Sequence, residues 1–138
     1  MPSVIFLCVA NSARSQMAEG IARSLAPPEW EVYSAGSNPG RLSQRAVEAM
    51  REIGIDISGH RSKGLDEVPL AEADVVITLC AEEECPVAYT RGRRLAWPLP
   101  DPAAPAASAE EERKAFQTVR DTIHTRLAGF WRREGGTP

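Results

Sequence analysis

The sequence predicts an α/β fold in which a four-stranded parallel sheet is flanked by helices. Three observations carry this. Val4-Ile5-Phe6-Leu7 is a short, continuous apolar run, as expected of a strand buried on both faces. Val75-Val76-Ile77-Thr78-Leu79 is a second such run. Between and after them lie segments with apolar residues at helical spacing, and strands alternating with helices imply parallel pairing through right-handed crossovers.

Each element can be justified in order. From Ser15, apolar residues fall at Met17, Ala18, Ile21, Ala22 and Leu25, and Pro27-Pro28 ends the run. Trp30 to Ser34 alternates like a strand, and residues 36 to 40 read as loop. Ser43 is placed to cap a second helix with an inner face of Ala46, Ala49, Met50 and Ile53, stopped by Gly54. Gly59 and Gly64 break any period between 56 and 69, leaving only a short helix near Leu65 to Ala71. Arg94 to Trp97 is the candidate last strand. Residues 98 to 107, PLPDPAAPAA, hold four of the eleven prolines and must be a loop. Ser108 with Glu111 matches a capping box, and Phe116, Val119, Ile123, Leu127 and Phe130 give the final helix one apolar face. One catalytic domain over 1–133 with a flexible tail at 134–138 is expected.

Composition excludes some classes. A net charge of −3 supplies no basic field for nucleic acid. The start MPSVIFLCVA lacks a basic n-region, and no stretch approaches the ~20 apolar residues that span a bilayer. A cytoplasmic protein without membrane contact is expected, and a monomer. Three cysteines, Cys8, Cys80 and Cys85, are an odd count that argues against a structural disulfide framework. They could be buried filler, metal ligands or chemistry, and the count alone does not choose.

Ligands of parallel sheets bind at the carboxyl ends of the strands. Cys8, Cys80 and the 98–107 loop all follow predicted strands, so they should share one edge. Between Cys8 and Arg14 lie Val9, Ala10, Asn11, Ser12 and Ala13. A loop of that length closing onto a helix N-terminus can turn successive N–H groups inward around a tetrahedral oxyanion. The same field favours a thiolate at Cys8. Arg14 can grip two anion oxygens through its planar fork. Ser15 sits where its hydroxyl could donate to the Cys8 sulfur. An isolated C-x5-R pattern reads first as a strand-end thiol and a solvated arginine. Here the strand before it and the serine and helix after it favour a nucleophile set against the anion it attacks.

CVANSARS followed by QMAEG resembles the arsenate reductases built on the low-molecular-weight tyrosine phosphatase fold, the class usually coupled to thioredoxin. The resemblance continues through VYSAG (32 to 36), AVEAM (46 to 50), IDIS and His60, VVITLC (75 to 80) and the DP pair at 101 and 102. It implies that Cys8 attacks arsenate, with Arg14 and the amides of residues 9 to 14 as the cradle and Ser15 stabilising the thiolate. Asp101 matches the acid that protonates the departing oxygen, although an Asp before Pro is also a common turn residue. Cys80 matches the second thiol, which releases arsenite, and Cys85 the third, which moves the disulfide outward to thioredoxin. Read alone, Cys80 is equally a buried core thiol. Only AEEE separates Cys80 from Cys85, less than the family's usual spacing. A continuous helix would hold these Cα atoms roughly 8–9 Å apart, whereas a disulfide needs about 4.4–6.8 Å. Residues 80 to 85 are therefore expected to be looped, or to unwind when the bond forms.

No organic cofactor and no resident metal are expected. Some of these reductases bind potassium, and Asn11, Glu19 and Ser34 match that site. Arg61 and Lys63, however, stand where neutral and acidic ligands are expected, and a lysine ammonium could replace the cation. Two rivals remain. A phosphatase on the same fold would use Cys8, Arg14 and Asp101 but has no need of Cys80 with Cys85. Ala103-Ala104-Pro105 also offer a phosphotyrosine little to pack against. A three-thiolate metal or metalloid binder is the other, but C-x4-C is not a strong zinc pattern and no fourth ligand suggests itself. Arg91, Arg93 and Arg94 read as a solvated loop before a docking surface.

Overall fold

The computed structural model describes residues 2–81, 90–104 and 106–134. Four strands, β1 (Ser3–Cys8), β2 (Glu31–Gly36), β3 (Val75–Cys80) and β4 (Arg93–Leu99), form one sheet in the order β2-β1-β3-β4. Every pairing is parallel. Helices α1 (Arg14–Leu25), α2 (Gln44–Arg51) and α3 (Ala109–Glu134) complete the expected fold, and only a 3-10 turn, Leu65–Glu67, stands where a short helix to Ala71 was expected. Gly64 N–H closes that turn on Glu67 Oε2 at 2.7 Å, after which Val68 is already extended.

Strand alternation divides the core in two. Val4, Phe6 and Ile77 join Met17 and Ile21 of α1, Met50 of α2 and Phe116, Ile123, Leu127 and Phe130 of α3. Ile5, Leu7 and Val76 face the other way, under Val68, Ala73, Leu65 and Leu70. Trp30, Trp97, Phe130 and Trp131 meet edge to face, with centroids 5.4–6.2 Å apart, pinning the end of α3 to the sheet.

The caps confirm most of the expected boundaries. Ser43 Oγ accepts from Ala46 N–H at 3.2 Å. Ser108 Oγ accepts from Glu111 N–H, but the Glu111 carboxylate reaches back to Ala107 N–H, one residue before the expected partner. Ile53 does not join the inner face and is 39% exposed. The helix has already ended at Arg51, and Gly54 turns the chain with φ +79°. Strand β4 extends the expected Arg94–Trp97 at both ends, taking in Arg93 of the basic cluster read as solvated loop and Pro98-Leu99 of the expected 98–107 loop. Helix α3 runs one residue into the expected tail, and residues 135–138 lie outside the described residues. Among the described residues, no helix is long and apolar enough to cross a membrane.

Because all strands run the same way, Cys8, Cys80 and Leu99 end at one rim. Cys8 pairs with Gly36, Leu7 with Thr78, and Cys80 with Leu99. The convergence expected of the thiols and the proline-rich loop is therefore built by the sheet.

Candidate active site

The loop between β1 and α1 is held from outside by its carbonyls. Val9 O accepts from Asn38 N–H (2.8 Å), Ala10 O from Gly40 N–H (2.9 Å) and Ser12 O from Ser43 N–H (2.9 Å). Asn11 O takes the Ser62 hydroxyl at 2.8 Å, and Ala13 O takes Met17 N–H of α1 at 2.8 Å. In a trans peptide the N–H of the next residue points opposite to the carbonyl. Five consecutive carbonyls tied outward thus direct the N–H groups of residues 10 to 14 towards the interior of the loop. The helix N-terminus adds its dipole on the same side, and the result is a cradle for an oxyanion.

Cys8 lies in this cradle, 2% exposed and a free thiol. Its sulfur is 2.9 Å from Ser15 Oγ. The direction of that bond follows from its neighbours. Asn11 Nδ2 donates to Ser15 Oγ (2.7 Å) and to Ser34 Oγ (3.0 Å), and Ser34 spends its hydrogen on Glu19 Oε1 (2.5 Å). The Ser15 hydrogen is left for Cys8 Sγ, which suits a thiolate acceptor. Arg14 is 5% exposed, and its Nη1 donates to Leu99 O at 3.0 Å, fixing the guanidinium between the loop and the end of β4.

Behind the loop is a layer that the sequence reading treated only as a possible potassium site. Burial pushes the Glu19 carboxyl up, but the Ser34 hydrogen bond and the Lys63, His60 and Arg23 charges outweigh it and hold it below its ordinary range. Lys63 Nζ is 3.4 Å from Glu19 Oε1. Arg61 instead turns outward to Glu67 at 2.8 Å. Burial lowers the His60 imidazole against the opposing pull of Glu19. Gln16 and His60, which the sequence reading did not single out as site residues, complete the layer. Gln16 opens the QMAEG stretch that carries the family resemblance, but nothing local says what a buried glutamine would face.

The remaining expected residues are placed as follows. Cys80 ends β3 at the same rim, 6% exposed and disulfide-bonded. Cys85 and the expected rearrangement of 80–85 lie outside the described residues. Asp101 follows Leu99 onto the rim but is exposed, and its Oδ1 accepts from Ala103 N–H at 2.9 Å in a turn of its own. The structure thus brings Cys8, Arg14 and Ser15 together and leaves Asp101 exposed, two residues after the Leu99 carbonyl that holds Arg14.

The family of low molecular weight phosphotyrosine protein phosphatases matches residues 3–134, and the chain belongs to that family. Within it, the chain is 46% identical over 129 residues to an arsenate reductase of Bacillus subtilis (strain 168), covering 92% of this chain and 93% of that one. A solved structure described as an arsenate reductase in the phosphate binding state superposes with a TM-score of 0.78 at 34% identity, covering 94% and 96% of the two chains. A thioredoxin-dependent arsenate reductase of Corynebacterium glutamicum superposes with a TM-score of 0.74 at 28% identity, over 96% of this chain and 61% of that one.

Proposed function

We propose that this protein reduces arsenate to arsenite through a relay of three thiols, with thioredoxin or a similar dithiol as the final reductant. The observation that carries the reading is the pairing of a thiol in an anion cradle with a second cysteine, Cys80, at the end of the adjacent strand. The relatives that bear the name arsenate reductase support it. On this reading the Cys8 thiolate attacks arsenic, an As–S bond forms, and an oxygen departs as water with a proton from Asp101. The amides of Ala10 to Arg14 and the Arg14 fork hold the remaining oxygens. Cys80 thiolate then attacks Cys8 Sγ. The S–S bond forms as the As–S bond breaks, and the electron pair leaves on arsenic as arsenite. Cys85 attacks Cys80 Sγ, releasing Cys8, and the external dithiol reduces the Cys80–Cys85 bond.

Arsenite production from arsenate with thioredoxin, its reductase and NADPH tests this directly. Wild type should turn over repeatedly, whereas Cys85→Ala should stop after about one arsenite per enzyme. Repeated turnover by Cys85→Ala would remove the third thiol from the mechanism. Phosphate ester hydrolysis without arsenate turnover would assign the site to a phosphatase.

Lys63 supplies the positive charge that the polar layer needs. Its ammonium, 3.4 Å from Glu19 Oε1 and 3.0 Å from Arg61 O, stands in for a monovalent cation beside Asn11, Ser34 and Glu19. Replacing sodium by potassium at constant ionic strength should therefore leave kcat/KM unchanged. A several-fold rise in potassium would show that the lysine does not fill this role.

A further inference from the structure

Gln16 is 0% exposed. Its Nε2 lies 2.9 Å from Asn11 Oδ1, 3.2 Å from Asn11 O and 2.8 Å from Arg61 O, and its Oε1 lies 3.0 Å from His60 Nδ1. We propose that Gln16, itself oriented by His60, is a positioning residue that holds Asn11 in the one arrangement able to direct the Ser15 hydroxyl at Cys8. The proposal rests on the reading of Cys8 as the nucleophile.

Asn11 has φ +51°, the only positive φ of a non-glycine among the described residues. Asparagine tolerates this left-handed region better than most residues, and its surroundings here hold it there. The surroundings here are Gln16, the Ser62 hydroxyl on Asn11 O and Lys63 N–H on Asn11 Oδ1 (both 2.8 Å). They settle more than the backbone. Two donors, Gln16 Nε2 and Lys63 N–H, face Asn11 Oδ1, so the amide nitrogen must point the other way, to the hydroxyls of Ser15 and Ser34. A flipped Asn11 would put its oxygen where those hydroxyls now accept, and the Ser15 hydrogen would turn from sulfur to that oxygen.

The orientation of Gln16 is fixed in turn. Asn11 O and Arg61 O only accept, so they hold Nε2, one hydrogen going to Arg61 O and the other shared between Asn11 Oδ1 and, more weakly, Asn11 O, and Oε1 is left for His60. His60 must therefore carry its hydrogen on Nδ1. Protonation at Nε2 keeps that hydrogen, so the order of donors is the same for imidazole and imidazolium. The charges facing the ring are Glu19 and Arg23 from α1, and Lys63 and Asp56 from the stretch after α2. Donors thus run from His60 through Gln16, Asn11 and Ser15 to Cys8, with no exchangeable role along the way.

The test follows the reactivity of Cys8 and does not involve arsenate. In a Cys80→Ser, Cys85→Ser background Cys8 is the only thiol, and its alkylation by iodoacetamide is followed from pH 5 to 9. Gln16→Met should slow the reaction about fivefold at pH 6, the worth of one hydrogen bond to the thiolate. The gap should close at alkaline pH, where the thiol ionises unaided, which a general loss of structure would not do. His60→Asn places an amide donor where Nδ1 stood and should follow the parent profile, while His60→Leu should move towards Gln16→Met. Should Gln16→Met not fold, the His60 pair decides alone. A parent-like profile for Gln16→Met, or indistinguishable profiles for His60→Asn and His60→Leu, would overturn the proposal. Failure to reduce arsenate would leave this result standing, because alkylation reads only the thiolate.

Discussion

Cys80→Ser should yield no more than a trace of arsenite while phosphate ester hydrolysis persists, and electron counting explains the split. Arsenate to arsenite takes two electrons, and one S–S bond formed from two thiols supplies them. With Cys8 alone the thiol–arsenic adduct can only hydrolyse back to arsenate, and a serine hydroxyl cannot be oxidised in place of the missing thiol. Phosphate ester hydrolysis involves no net oxidation or reduction, and on the proposed site it needs only the cradle, Arg14, Cys8 and Asp101. On the proposed relay Cys80 is the resolving thiol, which suits its place at the end of the strand paired directly with β1, with Leu7 opposite Thr78. The measurement is arsenite formed per enzyme alongside hydrolysis of p-nitrophenyl phosphate by the same preparation. Repeated arsenite formation by Cys80→Ser would mean that an external thiol resolves the adduct at Cys8.

The sequence exposed what depends on short-range pattern. The runs Val4–Leu7 and Val75–Leu79 gave the central strands, because a strand buried on both faces must be apolar throughout. The loop from Cys8 to Ser15 was legible because its groups are contiguous: thiol, amides, arginine and hydroxyl lie within eight residues. The support of that loop was not. Asn38, Gly40 and Ser43 clasp its carbonyls from the other side of β2, and Ser62 and Lys63 arrive from beyond α2. These are backbone N–H groups or small polar side chains, whose identities carry no record of such partners. Gln16 could have been noticed, since it interrupts the buried side of α1 with a polar group that must be satisfied, but its partners at positions 60 and 61 are invisible without the turn that folds 55–64 back. Asp101 shows the reverse case. Its place on the rim follows from the topology, while its present bond to Ala103 N–H is the turn role that Asp before Pro already suggested.

Gly36→Ala should lower both stability and activity, through space alone. Gly36 ends β2 opposite Cys8, and its N–H donates to Lys63 O at 2.9 Å. An added Cβ would stand 2.5 Å from Val9 O, 2.8 Å from Asn11 N and 3.0 Å from Val9 C. All three are backbone atoms of the cradle, so no rotamer change can relieve the contact. Either β2 parts from β1 or the loop moves inward, and Val9 O loses its alignment with Asn38 N–H. Overpacking of this kind costs about 1–3 kcal/mol. The functional loss should be larger than the unfolded fraction explains, since a displacement of about 1 Å in a catalytic array can cost ~100-fold. Gly59→Ala is the control, because a Cβ there meets nothing within 4 Å. Urea midpoints for both variants, with kcat/KM measured well below each midpoint, separate the two effects. A Gly36→Ala enzyme with wild-type kcat/KM would mean that the cradle tolerates displacement, and that amides held by outward-tied carbonyls are not what places the anion against Cys8.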